Sequence, residues 1–342
     1  MTWQTIGHEW AVELLQQSLE TDRVAHAYLL SGPPQIGKTR LALDLAQALN
    51  CEQPEPPCGQ CPACLKIERG THPDVRVIEG EGAGGSIKIA QVRQLQREAV
   101  LSPYEGRYRI FVLRQMDLAT LEAANSLLKT LEEPPAQVVL ILTAVQAERL
   151  PPTVISRCQR LDLRPVARHI IEASLREKEV PLSQAQLLAR LAGGRLGWAL
   201  CASGDADVLH QRQEALAQLI QMLSADRVER LSFAWKTSRD LLASHDLIEL
   251  WTTWWRDLLL VCSQSEGPIV NVDRADELEG LAHQSTMPQA WAMLNALQAA
   301  AAQLESNVNV RLALESLLLK LPRWRLLSQE PVVDNATSPA VL

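Results

Sequence analysis

The sequence predicts an α/β domain followed by all-helical domains. Up to about residue 165, apolar runs with the length of buried strands alternate with stretches whose apolar residues recur at helical spacing. The strand candidates are Ala25–Leu30, Val75–Ile78, Ile110–Leu113, Val138–Leu142 and Arg160–Leu163. Such alternation is typical of a parallel sheet with helices on its faces. Beyond residue 165 the strand pattern ends and the periodicity is helical.

The first strand candidate leads into a phosphate-binding loop. Residues 32–39 read Gly-Pro-Pro-Gln-Ile-Gly-Lys-Thr, which matches G-x-x-x-x-G-K-[ST], and a helical run follows at Arg40–Leu49. In this motif backbone N–H groups hold phosphates, the lysine lies against the β- and γ-phosphates, and the threonine hydroxyl binds Mg²⁺. The pattern therefore predicts a nucleotide site at Gly32, Gly37, Lys38 and Thr39.

The carboxylates that hydrolysis needs are missing from their expected place. A P-loop ATPase carries an acidic residue for Mg²⁺ and a second one for the attacking water at the end of a neighbouring strand. Here Arg114 and Gln115 follow the strand Ile110–Leu113. Asp117 is a poor substitute, because its position along an extended chain differs by roughly 5 Å or more. We expect ATP or ADP with Mg²⁺ to be bound, if at all, without turnover.

Four of the seven cysteines form a cluster in the sequence: Cys51, Cys58, Cys61 and Cys64, with prolines and glycines between them. Four thiolates at such short spacings suit a closed tetrahedral zinc site, which would fold a loop too small to have a core. An iron–sulfur cluster is the alternative, since it also takes four thiolates. Either way no ligand position is left for water, which indicates a structural metal.

Two further features are less specific on their own. Arg157 follows the strand Val138–Leu142 and a connecting segment, and an arginine in a loop is most often a solvated charge. Trp251, Trp254 and Trp255 recur at helical spacing, which favours a helical core over a subunit contact.

Composition limits the class of protein. The 342 residues are enough for two or three domains, and 33 basic against 40 acidic residues give a net charge of −7. Because phosphate neutralisation supplies most non-specific nucleic-acid affinity, any contact with DNA would be weak or shared. There is neither a signal-peptide pattern nor a run of 18 apolar residues, so we expect a cytoplasmic protein with no membrane partner.

Together these strings resemble the bacterial clamp-loader AAA+ subunits of DNA polymerase III. The segments that carry the likeness are His26–Pro34, the four-cysteine insertion, Gly70–Asp74, Ala124–Pro135 and Ser156–Gln159. Two subfamilies share them, the gamma/tau ATPase and delta-prime. Arg114 and Gln115 favour delta-prime, as does Gly197, which stands where the ATPase has a lid arginine; Arg195, two positions away, would partly serve. The ATPase also commonly has more chain after its helical collar.

The resemblance implies three domains. Residues 1–165 would form a RecA-like AAA+ α/β P-loop domain with the zinc module at 51–64. A small helical lid would span 166–206 and an all-α collar domain 207–328, followed by a disordered tail at 329–342. In the gamma/tau-like pattern the adenine pocket begins near Ile6.

The resemblance also implies a role. Delta-prime would assemble with gamma/tau and delta in a hetero-pentamer that loads the sliding clamp onto primed DNA. Its Arg157 would be an arginine finger, reaching the nucleotide of the adjacent subunit in trans. An autonomous gamma/tau-like AAA+ ATPase is the first alternative, supported by the intact P-loop. A zinc-containing nucleic-acid binder is the second, and the acidic charge opposes it.

Overall fold

The computed structural model describes residues 3–81, 85–265, 267–305 and 309–324. The tail expected at 329–342 lies outside these residues. The chain divides into two compact units: the first runs through Leu209 and includes Val270–Asp273, and the second contains His210–Ile269 and the chain from Arg274 onward. No helix in the described part is long and apolar enough to cross a membrane.

The first unit begins with an alternating α/β region. Its elements are α1 (Glu9–Glu20), β1 (Ala27–Ser31), α2 (Lys38–Asn50), α3 (Pro62–Glu68), β2 (Val75–Ile78), α4 (Ile89–Ala99), β3 (Arg109–Leu113), α5 (Leu121–Glu132), β4 (Val138–Ala144), α6 (Pro152–Ile155) and β5 (Gln159–Asp162). Three helices follow, α7 (Arg168–Glu177), α8 (Leu182–Leu191) and α9 (Leu196–Gly204). All five predicted strands are confirmed.

The five strands form one parallel sheet in the order β2-β3-β4-β1-β5. Strand β1, which lies between β4 and β5, is buried throughout, as expected for a parallel strand covered on both faces. Leu29 packs in a core with residues of α4, α5 and α6, whereas Tyr28 and Leu30 pack in a second core with α1 and α2. A third apolar cluster, the lid core, joins α7, α8 and α9. The α/β region is therefore a three-layer sandwich with a small helical domain after it.

The parallel order separates two edges of the sheet. The loop after β1 leaves the carboxyl edge, whereas the segments between α5 and β4 and between α6 and β5 enter at the amino edge. Leu163, just after β5, donates its N–H to the Ser31 carbonyl at 2.8 Å, so it marks the carboxyl edge beside the loop that follows β1. Arg157 precedes β5 and lies six residues earlier, which along a largely extended path is about 15–20 Å away.

The second unit is helical. Its elements are the greater part of α10 (Ala206–Ser224), then α11 (Arg227–Thr237), α12 (Leu241–Cys262), α13 (Ala275–Ala282), α14 (Met287–Glu305) and α15 (Val310–Lys320). Trp251, Trp254 and Trp255 are completely buried on α12 in its core. Their interpretation as core residues is confirmed.

A buried arginine joins the ends of two of these helices. Arg230 on α11 is 3% exposed, and its guanidinium donates five hydrogen bonds to backbone carbonyls. The acceptors are Met222 and Leu223 near the end of α10 and Leu318, Leu321 and Pro322 at the end of α15, at 2.7–3.4 Å. The last carbonyls of a helix have no intrahelical partner and favour a cation, so this one side chain caps both ends.

We expect Arg230→Met to destabilise the helical unit by about 3 kcal/mol or more, because several buried carbonyls would lose their donor. Differential scanning calorimetry would show the transition of this unit at a lower temperature. Arg227→Met, at an exposed position on the same helix, is the control and should change little. Equal shifts for the two variants would contradict the capping role.

Candidate nucleotide loop, cysteine cluster and exposed arginine

The loop between β1 and α2 has the backbone of a phosphate-binding loop. Gly32 has φ +141° and Gly37, which precedes the first residue of α2, has φ +114°. A Cβ at Gly32 would lie 2.4 Å from the Leu163 carbonyl oxygen, so only glycine fits there. Lys38 and Thr39 begin α2. The four residues singled out by the motif are thus brought together at the carboxyl edge of the sheet.

Lys38 is folded into this loop. It is 9% exposed, and its Nζ donates to the carbonyl oxygens of Gly32 and Pro33 at 2.5 and 2.6 Å. Burial lowers the pKa of the Lys38 ammonium to about 8, and the charge of Asp117 acts in the opposite direction. The ammonium is therefore positioned where an incoming phosphate would exchange with two backbone carbonyls.

The residues in place of the missing carboxylates point to other partners. The guanidinium of Arg114 pairs with Glu79, just after β2. Gln115 adopts φ +53° and its N–H donates to Thr143 Oγ1 at 3.1 Å. Asp117 uses one carboxylate oxygen to accept the N–H of Val145, after β4, at 3.1 Å. These contacts brace the ends of β3 and β4 and supply no carboxylate at the two expected positions.

Two residues that the sequence analysis missed hold the N-terminal segment beside the loop. Asp44 on α2 is fully buried and accepts from the Thr5 hydroxyl at 2.6 Å and from the Thr5 N–H at 2.8 Å. Burial raises the pKa of Asp44, and the hydrogen bonds from Thr5 oppose this shift. The buried His8 ring lies 2.9 Å, Nε2 to O, from the Ile36 carbonyl of the loop. In the sequence, this buried contact was indicated only by Asp44 itself, an acidic residue inside the largely apolar run Arg40–Leu49.

Ile6, the expected adenine contact, lies between these anchors. It is half-buried and packs against the lid core. The next residue, Gly7, has φ +79°, and a Cβ there would meet Val166 at 2.5 Å. Ile6 is therefore fixed beside the start of the first lid helix. It is two residues before His8, which contacts the P-loop.

A backbone hydrogen bond joins the lid to the P-loop. The N–H of Gly197 donates to the Gln35 carbonyl at 2.8 Å, and a Cβ at Gly197 would lie 2.8 Å from the same oxygen. This close approach explains why glycine stands at the position where the gamma/tau ATPase would have a lid arginine. Arg195 instead donates to the Ala192 carbonyl and lies 5.9 Å from the Trp198 ring.

The four cysteines converge into one cluster. All four Sγ atoms lie within 4.8 Å of one another, with Cys51 and Cys61 at 4.0 Å and Cys58 and Cys64 at 3.9 Å. A tetrahedral site with metal–sulfur bonds of about 2.3 Å requires sulfur separations of about 3.8 Å. The N–H of Gln60 is the main cause that lowers the pKa of Cys58 to about 6. The cluster can therefore hold a metal ion, and its ligand set is the predicted one.

Helix α3, which follows the cluster, is fastened to the P-loop helix. Arg40 on α2 pairs with Glu68 at 2.7 Å, and Gln47 donates to the Cys64 carbonyl at 3.1 Å. On its other side Lys66 pairs with Glu105 at 2.8 Å. A metal that orders this module would thus also stiffen the outer side of α2.

Arg157 lies on the surface between α6 and β5. Its Nη1 donates to the Thr153 carbonyl at 2.9 Å and its Nη2 to Glu132 Oε1 at 2.7 Å. The following Cys158 is half-buried against the core below α5, and burial raises the pKa of its thiol to about 12. The amino edge thus presents Arg157 outward, on the opposite edge from Lys38.

The comparisons with known proteins decide the family. A family model described as "DNA polymerase III, delta subunit" matches residues 7–167. DNA polymerase III subunit delta' of Bacillus subtilis (strain 168) is 33% identical over 323 residues, which cover 91% of this chain and 94% of that one. The chain belongs to the delta-prime family of DNA polymerase III subunits. The delta-prime resemblance is confirmed, and so is the predicted fold class of a parallel α/β sheet followed by helices.

Another delta' subunit and the tau subunits are also similar to this chain. Delta' of Pseudomonas aeruginosa (strain PAO1) is 41% identical over 44% of this chain and 47% of its own. Tau of Escherichia coli (strain K12) is 35% identical over 62% of this chain but only 34% of its own. The lid and collar boundaries stay predictions.

For this delta-prime chain we expect Gly197→Ala to cost roughly 1–3 kcal/mol, because the added methyl group collides with the Gln35 carbonyl. Thermal denaturation would show the loss, and hydrogen exchange would show faster exchange in the P-loop. Gly204→Ala is the matched control on the same helix, since a Cβ there meets nothing within 4 Å; it should leave stability unchanged or raise it by about 0.5 kcal/mol. A stable Gly197→Ala variant would refute the close lid contact.

Proposed function

We propose that this delta-prime subunit is a largely non-hydrolysing member of the bacterial clamp loader that acts on the nucleotide of a neighbour. The observation that carries the proposal is the contrast between its two edges. The carboxyl edge has a P-loop but Arg114 and Gln115 instead of the acidic pair, and the amino edge presents Arg157. A subunit of this kind would contribute to hydrolysis without performing it.

Arg157 is the residue we propose as the arginine finger. An arginine placed in trans stabilises the negative charge that develops on the γ-phosphate during transfer. Arg157 cannot serve its own P-loop, because about 15–20 Å of extended chain separates the two edges. A third of its side chain is exposed, and the guanidinium is always charged. It lies on the short segment between α6 and β5. These properties support action on an adjacent gamma/tau subunit.

The same proposal covers assembly. The subunit would join gamma/tau and delta in a hetero-pentamer in the cytoplasm and take part in loading the sliding clamp onto primed DNA. The net charge of −7 supports a role in which phosphate contacts come mainly from other subunits. The lid at 166–206 and the collar at 207–328 would provide the surfaces for assembly.

At the P-loop we propose a held nucleotide, ATP or ADP with Mg²⁺. Gly32, Gly37 and Lys38 would bind its phosphates, Thr39 would contact Mg²⁺, and Ile6 would lie against the base. A ligand held in this way stabilises the folded domain in proportion to its affinity. Without the two carboxylates it would turn over slowly or not at all.

We also propose that Cys51, Cys58, Cys61 and Cys64 hold zinc. The ion would neutralise the four thiolates and order the loop, and its closed ligand set leaves it no catalytic position. The sulfur separations of 3.9 and 4.0 Å support this geometry.

Purified protein should contain about one zinc per chain, and Cys61→Ser should reduce this to near zero because three ligands hold zinc poorly. Elemental analysis measures both. The exposed Cys201 provides the control, and Cys201→Ser should keep its zinc. Iron, together with visible absorption that disappears in Cys61→Ser, would favour the iron–sulfur alternative.

Arg157→Ala should slow hydrolysis at the adjacent site on the order of 10³-fold, the low end of what a trans arginine supplies. The measurement is rapid-quench single-turnover hydrolysis by the reconstituted complex with clamp and primed DNA, where one phase should disappear. Arg164→Ala, which removes an exposed arginine just after β5, should retain that phase. Both complexes must elute as intact assemblies.

The free subunit tests the alternative function. We expect its ATP hydrolysis to equal that of Lys38→Ala. ATP turnover by the wild-type chain that is lost in Lys38→Ala would show an autonomous ATPase. If Arg157→Ala leaves the hydrolysis rate of the complex unchanged, the arginine-finger proposal is refuted.

A further inference from the structure

Arg157 is held by contacts within its own subunit. Within the described part of the chain its one ion-pair partner is Glu132, the last residue of α5, at 2.7 Å. The Thr153 carbonyl of α6 receives a second N–H at 2.9 Å, and the Ser156 hydroxyl lies 3.4 Å from the same nitrogen. The guanidinium therefore has a defined position although a third of the side chain is exposed.

We propose that Glu132 is a positioning residue for Arg157, holding the guanidinium in place before the neighbour's phosphate engages it. This inference rests on the finger role proposed above. A guanidinium has five N–H groups, and these contacts use at most three of them. At least two N–H groups remain for phosphate oxygens, so the positioning contacts need not break for the finger to act.

The benefit of this arrangement is preorganisation. A free arginine side chain samples many rotamers, and part of this freedom is lost when it binds a phosphate. A guanidinium that is already restrained loses less at the moment of reaction. The restraint is in turn rigid, because Leu131 beside Glu132 and Val154 on α6 are both buried in the same core. Glu132 ends α5 and Arg157 follows the end of α6 by two residues, so both lie next to these buried anchors.

Glu132 is distinguished from its neighbour by contact and not by charge. Glu133 is also exposed and acidic, and in the described structure its side chain has no ion-pair or hydrogen-bond partner. Because the two carboxylates are adjacent, they change the local field of the amino edge to a similar degree. A comparison of Glu132→Gln with Glu133→Gln therefore separates the effect of the contact from the effect of the lost charge.

The test uses the reconstituted complex with clamp and primed DNA. Single-turnover hydrolysis is followed by rapid quench at increasing ATP concentrations. Glu132→Gln should slow the phase assigned to Arg157 about three- to fivefold, as the energy of an exposed ion pair allows, with the ATP concentration at half-maximal rate unchanged. Glu133→Gln should match the wild type. In an Arg157→Ala background, Glu132→Gln should cause no additional loss.

The outcomes separate the two proposals. If Arg157→Ala leaves the phase intact, the finger itself is wrong. If Arg157→Ala removes the phase but the two glutamine variants have equal rates, the finger stands and the positioning role is refuted. A lower melting temperature of the free Glu132→Gln subunit, or poorer assembly of its complex, would show that Glu132 is merely structural. A slower phase at unchanged stability and assembly supports positioning.

Discussion

Parallel pairing on both sides of β1 constrains every other feature of the α/β region. Because β4 and β5 run in the same direction as β1, the segments that follow the strands share one edge and the segments that precede them share the other. The P-loop and the braces around Asp117 occupy the first edge, and Arg157 and Glu132 occupy the second. The 3.3 Å rise of each extended residue then keeps the two sets apart. No side-chain movement can bring them together.

Backbone carbonyls organise the carboxyl edge. A P-loop turns its N–H groups toward the ligand, so its carbonyls must find other donors. Here Lys38 serves Gly32 and Pro33, and Gly197 serves Gln35. These carbonyls are thus satisfied by donors of the same chain, at a loop whose neighbouring strand ends in Arg114 and Gln115 instead of an acidic pair. The lysine has a structural use there even when no phosphate is present.

Local patterns predicted much of this molecule, and contacts between distant segments account for what they missed. Short stretches of sequence predict the five strands and the cysteine ligand set, and helical spacing predicts the buried tryptophans. Asp44 with Thr5, Gly197 with Gln35 and Arg157 with Glu132 each join residues that are 25 or more positions apart. Spacing alone cannot pair them. Gly197 illustrates the limit, since its identity depends on a carbonyl in a loop that lies in another part of the chain.

The separation of the two edges also bears on symmetry. If a finger extends from one edge and a nucleotide sits at the other, the contact between neighbours joins unlike surfaces, which is a heterologous contact. A row of such subunits has a direction, and its two ends differ. A subunit that extends a finger but has no hydrolytic site of its own is suited to the end of the row where no neighbour supplies a finger to it. The direction of such a row would then follow from the parallel direction of the strands in a single sheet.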